Sequence, residues 1–176
     1  MIGGGPIGLS TAQVAKAYGA SEVMLTELSE YKRKLAERLG IDHVVDPREL
    51  DPAKAVRKLL HPDGADVIFE CVGSNKVTIN QAISMARKGA RIVVVGVFGE
   101  PVPVNVGFIQ DWELEVVGTA VYTYKDFLDA IELIRLGKVE LEPYISKIFP
   151  LDDVASAFKY IEENRDTTIK VLLKIS

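Results

Sequence analysis

Glycines at positions 3, 5 and 8, set in Gly3-Gly4-Gly5-Pro6-Ile7-Gly8-Leu9, and a carboxylate at Glu27 are the residues whose types and spacing can do chemistry here. Glycine at these intervals lets a chain leaving a strand bend sharply. It also lets a pyrophosphate approach bare amides, and lets the following helix lie close to its strand. The anion would meet a helix N-terminus, where unpaired N–H groups and about half a positive charge of helix dipole converge. The strand that should feed this turn has only Met1 and Ile2 in the sequence. Tight turns before helices are common, and methyltransferases use similar ones, so context must decide.

Nineteen residues beyond Gly8, at the expected end of the next strand, Glu27 can accept both hydroxyl hydrogens of an adenosine ribose. That favours NAD. The 2′-phosphate of NADP would meet like charge at Glu27, and no arginine follows immediately; Lys32 and Arg33 come later, in a helix. The competing reading is an acid that only caps that helix. Two further loops, Cys71-Val72-Gly73 and Val95-Gly96-Val97-Phe98-Gly99, fall at carboxyl ends of strands, where open parallel sheets bind ligands. Their glycines either admit a ligand or serve as ordinary helix-entry turns. Cys71 has neither His43 nor His61 placed beside it by sequence as a base, and reads as a packed or pocket-lining thiol rather than a nucleophile. Asp42-His43, at the entry of a short strand away from this edge, reads as structural, and Glu113 with Glu115 as a solvated strand face.

The elements that must position these groups alternate strand with helix, which implies a parallel sheet. Helices are expected over 6–18, from Ser29 to Leu39, from Asp51-Pro52 towards Gly64, and from Ser74 or Asn75 through Arg87. Strands are expected over 23–27, 43–45, 66–71, 91–95 and 113–119. After residue 123, where Thr123 and Asp126 resemble a capping box, helix, strand, helix and strand follow over 124–136, 145–149, 151–164 and 169–175. The best domain boundary lies at 137–143.

The 176 residues suffice for one α/β domain, or one with the edge of another. With 48% hydrophobic and 26% charged residues and a net charge of -4, neither disorder nor a nucleic-acid partner is suggested. The lone Cys71 forms no internal disulfide and, with two histidines, the chain has no four-ligand zinc cluster of usual spacing. These features fit a reducing, cytoplasmic setting. No apolar stretch reaches the roughly 20 residues of a membrane span.

On Gly3-Gly4-Gly5-Pro6-Ile7-Gly8-Leu9, Glu27-Leu28-Ser29, Phe69-Glu70-Cys71-Val72-Gly73 and Val95-Gly96-Val97-Phe98-Gly99, the chain resembles the zinc-type medium-chain dehydrogenase/reductase family of alcohol and polyol dehydrogenases. Phe149-Pro150-Leu151 and Ile169-Lys170-Val171 resemble that family's ending. The resemblance implies a Rossmann fold, a doubly wound parallel sheet of six strands in order 3-2-1-4-5-6, over residues 1–137. Residues 138–176 would return to a GroES-like catalytic domain that this sequence does not contain.

The resemblance further implies NAD held by Gly3, Gly5, Pro6, Ile7 and Gly8. Glu27 would sit on the ribose with Lys32 beside it. Cys71, Val72, Gly73, Gly96 and Val97 would line the site, the backbone of Val95, Thr119 and Val121 would hold the carboxamide, and Lys170 would reach the pyrophosphate. It implies a small alcohol or polyol substrate, and homodimers paired along 113–119. Zinc would belong to the complete enzyme and not be bound by this chain, which alone should not catalyse the reaction. A non-catalytic nucleotide-binding or oligomerising module, and a fragment of a zinc-free NADPH quinone reductase, are the alternatives. Two further expectations concern the fold: an incompletely paired centre of the sheet, and a final strand without its partner sheet.

Overall fold

Strand and helix alternate along the chain in the computed structural model, which describes residues 1–73 and 76–175. The glycine turn leads into α1 (Pro6–Ala17), β1 (Met24–Thr26), α2 (Glu30–Arg38), β2 (His43–Val45), α3 (Pro52–Leu59) and β3 (Ala65–Glu70). Then come α4 (Thr78–Met85), β4 (Ala86–Val94), α5 (Val106–Asp111) and β5 (Glu115–Gly118). The chain ends with α6 (Tyr124–Arg135), β6 (Ile145–Pro150), α7 (Val154–Glu163) and β7 (Lys170–Lys174). Local chemistry starts the helices where the sequence predicts. Ser29 accepts the Lys32 amide, Asp51 accepts the Lys54 amide, and Thr123 forms a reciprocal box with Asp126. Each such cap contributes about 1 kcal/mol.

All described strand pairings are parallel. β1 lies on β2, and β3, β4 and β5 run side by side. Ile2 joins the two groups: its N–H donates to the Phe69 carbonyl and its carbonyl accepts from Cys71, while Thr26 donates to Met1 and Gly3 donates to Thr26. The spatial order β2, β1, Ile2, β3, β4, β5 is the expected one. Its centre, however, is a single bridging residue rather than a strand. Beyond Met1 a cavity of about 360 Å³ separates the two groups, with Met24, Val56, Ile68 and Met85 among its lining residues. Val67 stands 47% exposed beside it, although it belongs to the middle of the sheet. Helices cover both faces. Successive residues of β1 alternate between the two cores, Met24 packing with Val56, Ile68 and Ile83, and Leu25 with Leu9, Ala12, Leu35 and Ile169.

Several boundaries differ from expectation. The start of α4 expected at Ser74 or Asn75 lies outside the described residues. Its end falls at Met85, before Arg87, and β4 begins at Ala86 rather than Arg91. The cause is Gly64: a Cβ there would lie 2.7 Å from the Ala86 carbonyl carbon, so only glycine lets β3 approach closely enough for Ala65 to pair with Ala86. Register then jumps to Val67 opposite Arg91. β5 starts at Glu115 because Glu113 has φ 54, a left-handed turn that cannot continue a strand. Glu115 itself pairs with Arg91 on the exposed face. The short α5, with Phe108 stacked on Trp112 at 4.7 Å, was not anticipated. The final strand β7 pairs in parallel with β6 alone, in a two-stranded sheet, and joins no larger sheet among the described residues.

Candidate functional site

At Gly3 and Gly8 the glycine turn is held by contacts that admit no side chain. Gly3 has φ +95, and its carbonyl oxygen lies 1.9 Å from where a Gly8 Cβ would sit. Gly5 is the N-cap of α1, with nothing within 4 Å of its own Cβ position. No side chain caps this helix end, and Pro6 has no N–H. The amides of Ile7 and Gly8 therefore face the space outside the turn, with the positive end of the helix dipole behind them. The arrangement accepts an anion.

Glu27, just past β1, is fixed at both oxygens. Oε2 accepts the Gly4 amide at 2.7 Å and Oε1 accepts the Ser29 amide at 2.8 Å. Capping of α2 by a side chain belongs to Ser29, which leaves Glu27 to tie the turn to the start of that helix. Lys32 stands in the first turn of α2, where its amide donates to Ser29. Arg33 donates to the Glu27 and Leu28 carbonyls, and Arg48 donates to the Leu28 carbonyl. Both guanidiniums also meet Asp46, and Arg48 above all holds its carboxyl well below the usual carboxylate range. An open pocket of about 690 Å³ adjoins this corner, lined by Leu28, Ser29, Tyr31, Arg48 and Asp166 among others. Sequence reasoning passed over Asp46 and Arg48; the available signal was an acid two residues before an arginine just beyond β2.

The two further loops meet backbone to backbone. A Cβ on Gly96 would lie 2.2 Å from the Gly73 nitrogen, and one on Gly73 would lie 2.4 Å from the Val97 nitrogen. Val72 packs beneath the turn, 2.7 Å from the Cβ position of Gly3, and Cys71 lies 3.6 Å from that of Gly8. Burial pushes the Cys71 thiol up, as suits a packing group rather than a nucleophile. Val95 and Gly96 both donate to the Glu70 carbonyl, and Thr119 donates to Val94. Val121 follows with φ 59, an uncommon conformation for a β-branched residue. The structure thus brings Gly3, Gly5, Pro6, Ile7, Gly8, Glu27, Cys71, Val72, Gly73, Val95, Gly96, Val97 and Thr119 to one edge of the sheet, with Val121 just beyond. Lys170 begins β7 beside buried Ile169, and no described contact ties its ammonium to the turn.

Outside this edge, Asp42 accepts Lys16 at 2.7 Å and the Val23 amide at 2.8 Å, so it joins α1 to the sheet. Among the described residues no group of three or more His, Cys, Asp or Glu could hold a metal ion, and no helix is long and apolar enough to cross a membrane.

The sequence matches the zinc-binding dehydrogenase family over residues 6–135. This chain belongs to that family. It is similar to an (R,R)-butanediol dehydrogenase of Neisseria gonorrhoeae, 36% identical over 176 residues, covering 98% of this chain and 49% of that protein. Similarity to a 2-dehydro-3-deoxy-L-galactonate 5-dehydrogenase of Pseudoalteromonas atlantica is 39% over 165 residues, covering 93% and 47%. Among solved structures, a protein assigned as a zinc-binding dehydrogenase from Sinorhizobium meliloti 1021, bound to NADP, superposes with TM-score 0.86 at 30% identity over 99% of this chain and 51% of that one. The 2R,3R-butanediol dehydrogenase of Bacillus subtilis superposes with TM-score 0.90 at 26% identity over 99% and 50%. This member of the zinc-binding dehydrogenases spans about half the length of the relatives it matches.

Proposed function

We propose that the chain binds a nicotinamide dinucleotide, NAD in preference to NADP, as the cofactor-binding part of an alcohol or polyol dehydrogenase acting on a secondary alcohol. The observation that carries this reading is Glu27, whose carboxylate is fixed 2.7 Å from the Gly4 amide, beside an uncapped helix N-terminus. A carboxylate so held presents its remaining lone pairs to a ribose diol, while the turn's amides receive the pyrophosphate. When bound, the nicotinamide supplies a hydride acceptor. The chain's own residues bind and orient: Gly3, Gly5 and Gly8 clear the approach of the phosphates, and Val95, Thr119 and Val121 offer backbone groups to the far end. In this proposal zinc and the activation of the substrate belong to the complete enzyme.

Residues 1–137 form the cofactor-binding unit in this proposal, and 138–176 return to a catalytic domain. The exposed strand β5 supports a homodimer paired along that edge, and a monomer by light scattering would remove it. A cytoplasmic setting accords with the dehydrogenase reading.

NADP is the competing cofactor, favoured by Arg33 and Arg48 beside Leu28. Both guanidiniums are engaged by Asp46, which argues against their receiving a 2′-phosphate. Calorimetric titration with NADH and NADPH, each repeated on Glu27→Ala, tests the proposal. Tighter NADH binding that weakens on Glu27→Ala is expected. Tighter NADPH binding would overturn the preference, and binding of neither would overturn the function.

A further inference from the structure

Glu70 ends β3 as a fully buried carboxylate. Glutamate is almost never fully buried unless paired, because a lost hydration shell must be replaced. No described ion pair reaches Glu70, and the partners described for its carboxylate are amides. Oε1 accepts from Val72 and Gly73, each at 3.0 Å, and Oε2 accepts from Gly73 at 3.3 Å. Oε2 also lies 2.4 Å from where a Gly96 Cβ would sit, so the carboxylate is pressed against the second loop. Meanwhile the main-chain carbonyl of the same residue accepts the amides of Val95 and Gly96. One residue therefore holds the Cys71–Gly73 loop with its side chain and the Val95–Val97 loop with its backbone, and fills the space between them.

We infer that Glu70 is a positioning residue for the nicotinamide half of the ligand: it sets the two glycine loops against each other and so fixes the backbone at Gly73, Val95 and Val97. The inference rests on the cofactor reading above. Its physical basis is that a buried charge is retained at a cost that a leucine or methionine would not incur. What the charge supplies is an acceptor for two consecutive amides that otherwise have no described partner. The adenosine end does not depend on it, because Glu27 is held by Gly4 and Ser29. Glu70 thus acts first on the nicotinamide half and bears on the glycine turn only indirectly, through Val72 beside Gly3.

The test compares NADH with 5′-AMP, which carries only the adenosine half, by calorimetry on the wild-type chain and on Glu70→Ala, Glu70→Gln and Glu70→Asp, with thermal melts alongside. Glu70→Ala is expected to weaken NADH roughly 10- to 100-fold, as a displacement of about 1 Å in a positioned group does, and to leave AMP binding within about twofold. Glu70→Gln keeps one oxygen for the Val72 and Gly73 amides and should recover most of the NADH affinity. Glu70→Asp, one methylene short of the loop, should not. Parallel loss of NADH and AMP together with a lowered melt would overturn the inference, since Glu70 would then act through stability alone. Unchanged NADH binding in Glu70→Ala would overturn it too. Should the alanine variant not fold, the Gln and Asp variants carry the same comparison, and equal NADH-to-AMP ratios in both would overturn it. A wild-type chain that binds neither ligand would overturn the cofactor reading and this inference with it; the variant outcomes bear on Glu70 alone.

Discussion

Alanine at position 8 would put a methyl carbon 1.9 Å from the Gly3 carbonyl oxygen, where ordinary contact begins at 3.4 Å. The turn and α1 must then separate by about 1.5 Å. The helix is the less yielding partner, because Leu9 and Ala12 are fully buried against the sheet. The turn therefore moves, and with it the amides that face the ligand. Overpacking of this kind costs about 1–3 kcal/mol of stability, only partly offset by the ~0.5–1 kcal/mol that alanine gains over glycine inside a helix. A 1 Å misplacement can lower function on the order of 100-fold. Gly5→Ala is the control, because its Cβ meets nothing within 4 Å and its φ of -72 suits alanine. That variant should keep its stability within about 1 kcal/mol, the scale of an N-cap change, while its methyl group obstructs the phosphate's approach. Circular-dichroism melts and NADH titration of both variants give the comparison: Gly8→Ala loses stability and affinity together, Gly5→Ala affinity alone. Wild-type melting and affinity in Gly8→Ala would refute the steric argument, and undiminished affinity in Gly5→Ala would refute the placement of the anion.

Gln13 is buried on α1, where its side-chain amide binds the Tyr144 hydroxyl at 2.9 Å and both the carbonyl and the N–H of Glu140. Gln13→Ala strands those partners and should cost about 2–4 kcal/mol in denaturant unfolding; a loss below about 0.5 kcal/mol would show that water replaces the amide without penalty. Asp46 is depressed by Arg48 and Arg33, so its contribution is complete above an unfolded carboxylate's pKa of about 4 and is lost as pH falls below that. The wild-type melting temperature should accordingly drop more steeply than that of Asp46→Asn between about pH 5 and pH 3, and parallel curves would refute the assignment.

What could be read from the sequence was local. The glycine turn, the caps at Ser29, Asp51 and Thr123, and the spacing from Gly8 to Glu27 each depend on residues a few positions apart, or on one strand–helix unit. The parts that escaped depend on chain segments meeting across long separations. Gln13 finds Glu140 and Tyr144, 127 and 131 residues away. Asp46 and Arg48 reach the Glu27 corner only because β2 lies beside β1. The start of β4 was misplaced because Gly64, just before β3, and Ala86, 22 residues on, share a space no side chain could occupy. Glu70 looked like one more acidic residue in a motif, since nothing in the order of residues discloses that its carboxylate faces amides rather than water.

The seam at Ile2 has a mechanical consequence. One half of the sheet carries Glu27, the other carries Gly73, Val95 and Val97, and the glycine turn leaves from the junction itself. The Met1 and Ile2 carbonyls accept from Thr26 and Cys71, and the Gly3 and Ile2 amides donate to Thr26 and Phe69, so the first residues of the turn are themselves the tie between the halves. A ligand seated on the turn therefore bears on both halves at once, and a substitution that shifts the turn shifts the two ends of the candidate site relative to each other.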